Sequence, residues 1–202
     1  MEREIRVPRQ KRSIEKKNNI IDAAYRIFNE KGYNNTNTVE IAKEAGISTG
    51  SVYAYFKDKK DIFIEALKKY SNNIMGTMVS EFEEIPIDED LSNVIKIIIN
   101  ILIENHNTSK NLHDEIMSLS YLDEDVKKHF KILQNEIMNK VLNQLEKRNI
   151  KVNNEKEKMF LIISTIDALC HECVYNPHIY FDKDIAIDEC AYMIKCLLMI
   201  NH

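Results

Sequence analysis

The residues with the clearest chemical potential form a Cys-x-x-Cys group near the end of the chain. This group is Cys170-His171-Glu172-Cys173, and Cys190 and Cys196 follow it. Thiolates and imidazoles bind zinc, and paired thiols respond to oxidants. Cysteines three residues apart on a helix are also ordinary small core residues. The group therefore keeps open an all-α metal or thiol redox sensor, or an enzyme, centred on these four residues.

No pattern typical of an enzyme or a nucleotide cradle accompanies the cysteines. The sequence has no Gly-x-Ser-x-Gly, P-loop or His-Glu-x-x-His motif, and it contains only four glycines. A second cysteine pair at zinc spacing is missing as well. We therefore expect a protein that has no catalytic residues, no metal and no cofactor.

A second group with chemical potential consists of hydroxyls, tyrosines and small residues. Residues 49–57 read Thr-Gly-Ser-Val-Tyr-Ala-Tyr-Phe-Lys, with Val52 and Phe56 at the inward positions of a short helix. Small residues allow close approach to a major groove, hydroxyls bond bases and phosphates, and a lysine neutralises a phosphate. The alternative is a small-residue helix that packs against a neighbour.

The charge distribution favours the DNA interpretation. The whole chain carries a formal charge of −4, but residues 1–70 hold 15 Lys/Arg and 10 Asp/Glu, a net of +5. A basic segment on an acidic body indicates a polyanion partner. Residues 1–13 are predicted to be a flexible basic arm, either a solvated tail or a segment that contacts phosphates or a minor groove. Its basic residues are Arg3, Arg6, Arg9, Lys11 and Arg12.

The elements that position residues 49–57 are predicted from apolar periodicity and stop signals. They are a helix over 14–31, a stop at Gly32, a helix over 39–45 capped by Thr38, a stop at Gly46, a helix from Ser48 or Thr49 to about Tyr55, and a longer helix capped by Asp58. Two short helices joined by a turn with glycine are typical of a helix-turn-helix.

The sequence from Thr38 to Phe63, TVEIAKEAGISTGSVYAYFKDKKDIF, resembles the DNA-binding signature of the tetracycline-repressor (TetR) family. Residues 21–24, 28, 31–33 and 36 match the first helix of that family, so the resemblance covers about residues 14–70. Two positions depart from the usual pattern, because Ala54 stands where an aromatic residue is common and Tyr55 where histidine is common. Both positions lie on or near the helix that would contact bases, so the departures bear on which operator sequence is recognised and not on whether DNA is bound.

The resemblance implies a set of DNA contacts. Residues 49–51 and Tyr53 would face bases and nearby phosphates, and Thr38, Tyr55, Lys57 and Lys59 would contact the DNA backbone. The complete predicted set is Thr38, Ser48, Thr49, Gly50, Ser51, Tyr53, Tyr55, Lys57 and Lys59.

The rest of the chain is predicted to be helical, which makes the whole protein all-α. Residues 14–60 would form the DNA-binding domain and residues 61–202 an effector-binding and dimerisation domain. The resemblance implies a homodimer formed by a four-helix bundle of the last two helices of each subunit. Candidate effector-pocket residues are Met117, Tyr121, Phe130, Phe160, Asp167 and Tyr175. Met and aromatic residues at such spacing are also ordinary core, and a buried Asp167 would need a partner.

These observations predict a ligand-responsive transcriptional regulator, a repressor that binds a palindromic double-stranded DNA operator as a homodimer. An unidentified small molecule would release it. The charged N-terminus has no apolar segment typical of an export signal, and no stretch reaches the roughly 20 apolar residues of a membrane helix. We therefore expect a cytoplasmic protein without a membrane partner.

Overall fold

The computed structural model of the chain describes residues 11–176 and 181–200, except the side chain of Glu83. The described residues form helices and no strands, which confirms the all-α prediction. The helices are α1 (Lys11–Lys31), α2 (Thr38–Glu44), α3 (Thr49–Val52), α4 (Lys59–Glu84), α5 (Leu91–Thr108), α6 (Lys110–Leu122), α7 (Glu124–Lys147), α8 (Glu155–Tyr175) and α9 (Lys183–Met199).

The described residues divide into two compact units. Unit 1 comprises residues 11–73 and 109–133, and unit 2 comprises residues 74–108, 134–176 and 181–200. The sequence predicts a domain boundary after residue 60. The compact units place α6 with α1 because these two helices pack together. The functional division at residue 60 stays a prediction.

The first helix begins earlier than predicted. Lys11, Arg12 and Ser13 belong to α1, so they are not part of an arm, and residues 1–10 of the predicted arm lie outside the described residues. Apolar residues recur along one face of α1, with Ile20, Ala24 and Phe28 fully buried. The helix therefore has one face fixed by packing and another that carries charged residues.

Gly32 ends α1 as predicted, because the chain there takes a positive φ of 81°. A Cβ atom at this position would also lie 2.6 Å from Oε1 of Glu115 in α6. Left-handed backbone and close approach both favour glycine. Gly46, with a φ of 66°, ends α2 in the same way.

The two short helices are capped by side chains. Asn37 is the N-cap of α2, in a capping box with Glu40, so the prediction of Thr38 as the cap was wrong by one residue. Ser48 caps α3, which ends at Val52 and is shorter than predicted. It stops because the chain tightens into a turn, in which the Tyr55 amide donates to the Val52 carbonyl at 2.9 Å.

Unit 2 has its core between α5, α8 and α9, which pack against one another. One apolar cluster fills this space, including Leu91, Ile95, Ile99, Ile103, Cys170, Ile187, Ala191, Ile194 and Leu198. The sequence predicts that one helix opens at Asn154 and that the last helix begins at about Asp184. The structure has Asn154 as the N-cap of α8 and Asp182 as the N-cap of α9. The helix stop assigned to Pro177 lies outside the described residues, although α8 ends at Tyr175.

Candidate nucleic-acid interface

The helix-turn-helix of unit 1 rests on a cluster of aromatic rings. The ring of Phe63 in α4 lies 5.4 Å from that of Phe28 and 4.9 Å from that of Tyr33, measured between centroids. Val52 and Phe56 are buried beside α3, as predicted. A helix of four residues is unstable alone, so tertiary packing of these apolar residues holds α3 in place.

Lys59 fixes the loop between α1 and α2 to the first turn of α4. Its Nζ donates to the backbone carbonyls of Tyr33 at 2.7 Å and Thr36 at 2.8 Å, and it lies 4.1 Å from the Tyr33 ring centroid. Burial lowers the pKa of Lys59. The predicted backbone contact of Lys59 with DNA does not fit this structure, because its ammonium is already bonded within unit 1.

Tyr55 also differs from its predicted role. Its side chain is only 6% exposed, and its hydroxyl lies 3.1 Å from Oγ of Ser13 in α1. A contact with a DNA phosphate needs an accessible hydroxyl. The structure therefore does not support Tyr55 as a backbone contact, and it joins the start of α1 to the turn after α3.

Thr38 and Tyr53 are brought together by the fold. Oγ1 of Thr38, the first residue of α2, lies 2.9 Å from the hydroxyl of Tyr53, which follows α3. Both side chains are half-buried, so each combines a fixed position with partial access to solvent. The hydrogen bond holds two of the predicted DNA contacts in one arrangement.

The surface around α3 carries hydroxyls and little bulk. Oγ of Ser48 accepts from the Ser51 amide at 3.2 Å and lies 2.8 Å from Ser51 Oγ. Gly50 between them is exposed, and a Cβ there would meet no atom within 4 Å. Thr49 is half-buried beside it. Small residues with hydroxyl donors and acceptors suit close approach to base edges and phosphates.

Half of the twelve lysines and arginines of residues 11–73 are paired with carboxylates of unit 1: Lys17, Arg26, Lys31, Lys60, Lys68 and Lys69. Lys59 is bonded to backbone carbonyls instead. The other five have no carboxylate partner among the described residues: Lys11, Arg12, Lys16, Lys43 and Lys57. All five are exposed, so they supply an uncompensated positive charge beside the helix-turn-helix.

Three side-chain contacts tie α6 to α1. Oε1 of Glu115 accepts from the Tyr33 amide at 3.0 Å, and Nδ2 of Asn111 donates to the Asn29 carbonyl at 2.8 Å. The hydroxyl of Tyr25 lies 3.1 Å from that of Ser109. The sequence analysis missed these residues because their partners are about 80 positions away and no local pattern marks them.

Lys60 makes a further link within unit 1. Its ammonium contacts Asp125 at 2.7 Å and Asp123 at 3.1 Å, and these two carboxylates raise the pKa of Lys60. Asp123 also caps α7 by accepting from the Val126 amide at 3.1 Å, which lowers the pKa of its carboxyl. The first turn of α4 is therefore bonded both to the α1–α2 loop and to the start of α7.

The six candidate effector-pocket residues are divided between the two units. Met117, Tyr121 and Phe130 belong to unit 1, and Tyr121 is 77% exposed. In the sequence, Phe160 lies on an apolar stripe with Ile163, Ile166, Cys170 and Val174, which predicts that it is buried. In unit 2 it is instead 68% exposed. Tyr175 stacks on His171, with ring centroids 4.2 Å apart. Neither Tyr121 nor Phe160 has the burial that a pocket-lining ring requires.

Asp167 has a partner within unit 2. Its Oδ1 lies 3.4 Å from Nε2 of His106, a buried residue of α5, and Asp167 is the more exposed of the two. Nδ1 of His106 lies 2.8 Å from the Leu102 carbonyl, which accepts only, so Nδ1 carries a proton. A buried imidazole and a partly exposed carboxylate therefore lie next to one another in unit 2.

The cysteine group lacks the features of a reactive or metal-binding site. Cys170 is fully buried, and burial raises the pKa of its thiol to about 12. Burial also raises the pKa values of Cys173 and Cys190. Metal binding and oxidation both use the thiolate. In the part of the chain that is described, no cysteine joins a set of three potential metal ligands.

The two lysines on either side of Asp58 are expected to respond differently to substitution. Lys59→Met removes the donor of two part-buried carbonyls and should lower the free energy of unfolding by about 1–3 kcal/mol. Lys57→Met, at an exposed position, should change it by less than about 0.5 kcal/mol. Urea unfolding followed by circular dichroism measures both. Equal stability of the two variants would contradict the structural role of Lys59.

None of the helices in the described residues has the length and apolarity needed to cross a membrane. The family described as bacterial regulatory proteins, tetR family, matches residues 20–66, which contain α2, α3 and the aromatic cluster.

Full-length and partial relatives agree with this match. The chain is 29% identical over 167 residues to the fatty acid metabolism regulator protein of Bacillus subtilis (strain 168), which covers 80% of this chain and 84% of that protein. It is 42% identical over 62 residues to the biofilm operon icaADBC HTH-type negative transcriptional regulator IcaR of Staphylococcus aureus (strain Newman), which covers 29% of this chain and 33% of that protein.

The fold is shared as well. A crystal structure of a tetR-family transcriptional regulator from Streptomyces coelicolor superposes with a TM-score of 0.72 at 15% identity, over 91% of this chain and 80% of that one. The helix-turn-helix sequence, the relatives and the helical architecture agree with one another. Residues 20–66 match the tetR family of bacterial regulatory proteins, and the chain is similar to transcriptional regulators over most of its length.

Proposed function

We propose that the protein is a repressor that binds a near-palindromic operator as a homodimer and is released by a small-molecule effector. The main structural support for sequence-specific DNA binding is the open surface of α3. Gly50 leaves room for close approach, Ser48 and Ser51 supply hydroxyls, and Tyr53 is held by Thr38 at 2.9 Å. Two such surfaces in one dimer would enter successive major grooves about 34–36 Å apart.

The proposed DNA contacts are a subset of those expected from the sequence. Lys59 and Tyr55 are withdrawn because the Lys59 ammonium already donates to two backbone carbonyls and Tyr55 is buried. The retained set is Thr38, Ser48, Thr49, Gly50, Ser51, Tyr53 and Lys57. Repression rather than activation is supported by the name of IcaR, a negative regulator. Operator binding requires access to the chromosome, so we propose a cytoplasmic protein that acts without catalysis.

Exposed apolar residues on α8 and α9 support the dimer. Phe160 and Leu161 are exposed on α8, in helical register with exposed Ser164 and Ala168. Tyr192 and other apolar residues are exposed on α9, which packs against α8: Ile185, Met193 and Met199. Apolar residues grouped in this way on adjacent helices mark an interaction surface. We propose that the same surface of a second copy covers them.

For the effector we propose an acyl compound that binds within unit 2. The name of the Bacillus subtilis relative supports this class, and so does the apolar core between α5, α8 and α9. Asp167 is the candidate pocket residue that we retain, because it brings a carboxylate next to His106 at the edge of that core. An effector with higher affinity for a non-binding conformation would shift the population away from the DNA-binding one.

The first test concerns close approach at Gly50. Gly50→Leu should leave the unfolding midpoint unchanged or raised, because the added atoms have open space and leucine favours a helix. It should lower specific DNA affinity at least tenfold, because the side chain would meet the groove. Fluorescence anisotropy with DNA from upstream of the protein's own gene measures this, against a scrambled duplex.

The matched control is Gly76→Leu, at an exposed position in α4 that is also open. It should bind like the unsubstituted protein. If Gly50→Leu retains specific binding, α3 does not enter a groove. If the unsubstituted protein binds the upstream and scrambled duplexes equally, its operator lies elsewhere in the genome. If it binds no DNA even at low salt, the proposal is overturned.

The second test concerns the dimer surface. Phe160→Glu places a charge at an exposed position, so folding should persist while dimerisation weakens. Sedimentation velocity should show a shift to monomer, and operator affinity should fall because two half-sites are no longer bound together. Leu122→Glu, at an 80% exposed position of unit 1, is the matched control and should stay dimeric. A dimer that survives Phe160→Glu would contradict the proposed surface.

The third test concerns the effector. Long-chain fatty acids or their coenzyme A thioesters should lower operator affinity by about five- to 150-fold, the usual range of allosteric coupling. Asp167→Asn should change this response and leave effector-free DNA binding intact. An apolar cation of similar size serves as the negative control. If it releases DNA and the acyl compounds do not, the effector class is wrong while DNA binding stands.

A further inference from the structure

We propose that Arg12 and Lys16, on the first turns of α1, bind phosphates of the DNA backbone beside the groove that α3 reads. This inference rests on the proposed function, because it requires that the helix-turn-helix binds DNA. It adds a contact surface outside the motif, on α1. The sequence placed Arg12 in the predicted basic arm and Lys16 in the predicted helix over 14–31, whereas the structure places both on one helix.

The start of α1 has a fixed position relative to α3. Oγ of Ser13 lies 3.1 Å from the hydroxyl of Tyr55, and Nζ of Lys17 lies 5.5 Å from the ring centroid of Phe56. Ser13 and Lys17 are four residues apart and share one face of the helix. Tyr55 and Phe56 follow α3 directly, so this face of α1 is docked on the end of the reading element.

Arg12 and Lys16 lie on the flank of that docked face. They also share a face, being four residues apart, and each precedes a docked residue by one position, about 100° around the helix. Both are exposed. Neither has a carboxylate partner within the described residues, whereas the neighbouring Lys17 lies 3.8 Å from Glu65. The flank therefore presents two charges that the protein itself leaves uncompensated.

Lys57 is a further exposed cation next to this contact in the chain. It follows Phe56 directly and lacks a carboxylate partner in the described part of the chain. Uncompensated charges of one sign repel one another, and the repulsion is relieved when a polyanion binds. A DNA strand that borders a major groove offers phosphates at regular spacing, which a row of separate cations can neutralise.

Tyr55 acquires a positioning role in this arrangement. Tyr55 is buried, whereas a residue that contacts a phosphate must be accessible to solvent. Its hydroxyl instead forms a hydrogen bond with Ser13, which fixes the position of Arg12 and Lys16 relative to α3. The residue that replaces the histidine usual at this position thus affects DNA binding through α1.

Salt dependence distinguishes phosphate contacts from other contributions. The logarithm of the binding constant falls with the logarithm of salt concentration with a slope of about −0.9 for each neutralised phosphate. Each substitution occurs twice in a dimer, so Arg12→Gln or Lys16→Gln should reduce the magnitude of the slope by about 2, and the double variant by about 4. Between 50 and 200 mM salt, the loss of affinity should then be about tenfold smaller for each single variant.

The measurement is anisotropy across a salt series, on both the upstream duplex and the scrambled duplex. The effect should appear on both, because phosphates carry no sequence information. Arg12→Lys keeps the charge and should keep the slope. Lys131→Gln, which removes an exposed charge on α7, is the matched control and should not change the slope.

The outcomes separate this inference from the proposed function. If the unsubstituted protein binds DNA with a steep slope and the double variant has the same slope, α1 makes no phosphate contact and the inference fails alone. If the unsubstituted protein binds no duplex at low salt, the proposed function fails with it. If Lys131→Gln lowers the slope as much as Arg12→Gln, the effect is one of net charge and the inference is overturned.

A double-mutant cycle tests the role of Tyr55. Ser13→Ala and Tyr55→Phe each remove one hydroxyl and retain the packing of the ring. If Tyr55 acts through Ser13, the loss of DNA affinity in the double variant equals that of either single variant. Additive losses would show a direct contact of Tyr55 with DNA and would overturn its positioning role. Unfolding midpoints measured in parallel exclude a general loss of stability.

Discussion

The loop between α1 and α2 is the constraint on which the DNA-facing part of the molecule depends. Lys59 holds its carbonyls at Tyr33 and Thr36, and Glu115 holds its amide at Tyr33. Gly32 allows the turn that brings these groups together. Helices of seven and four residues are too short to be stable alone, so α2 and α3 take their position from this loop and from the aromatic cluster below it.

The groups that hold the loop come from helices that continue beyond the DNA-binding motif. Lys59 opens α4, which runs for 26 residues into unit 2, and Glu115 lies on α6, which directly follows α5 in the chain. A conformational change in either helix would act on the loop through bonds of defined length. The coupling that the proposed effector release requires would then need no contact between the effector and the DNA-binding residues, only a shift in the population of conformations of α4 and α6.

The local sequence pattern predicted those features of the fold that depend on neighbouring residues in the chain. The order of the helices, the stops at Gly32 and Gly46 and the burial of Val52 and Phe56 follow from periodicity and backbone preference. The partners of Lys59 and Tyr55 lie 23 to 42 residues away, and nothing near either residue marks them. Phe160 was predicted to be buried because it lies on an apolar stripe of helical periodicity. Periodicity locates such a stripe, but it does not show whether the surface that covers the stripe belongs to the same chain.

Net charge computed from the sequence also does not reveal which charged residues are paired in the fold, and this affects the functional interpretation. The +5 of residues 1–70 predicted a polyanion partner, and it counts each lysine and arginine equally. In the structure, most cations of residues 11–73 neutralise carboxylates of unit 1 or, like Lys59, cap carbonyls, and five remain uncompensated. Five per subunit, and ten in the proposed dimer, would contribute at most about 9 to the salt slope from this region. The cations that hold the helix-turn-helix in shape are thus different residues from those that we propose to bind DNA, so weakening DNA binding through the second group should leave the fold intact.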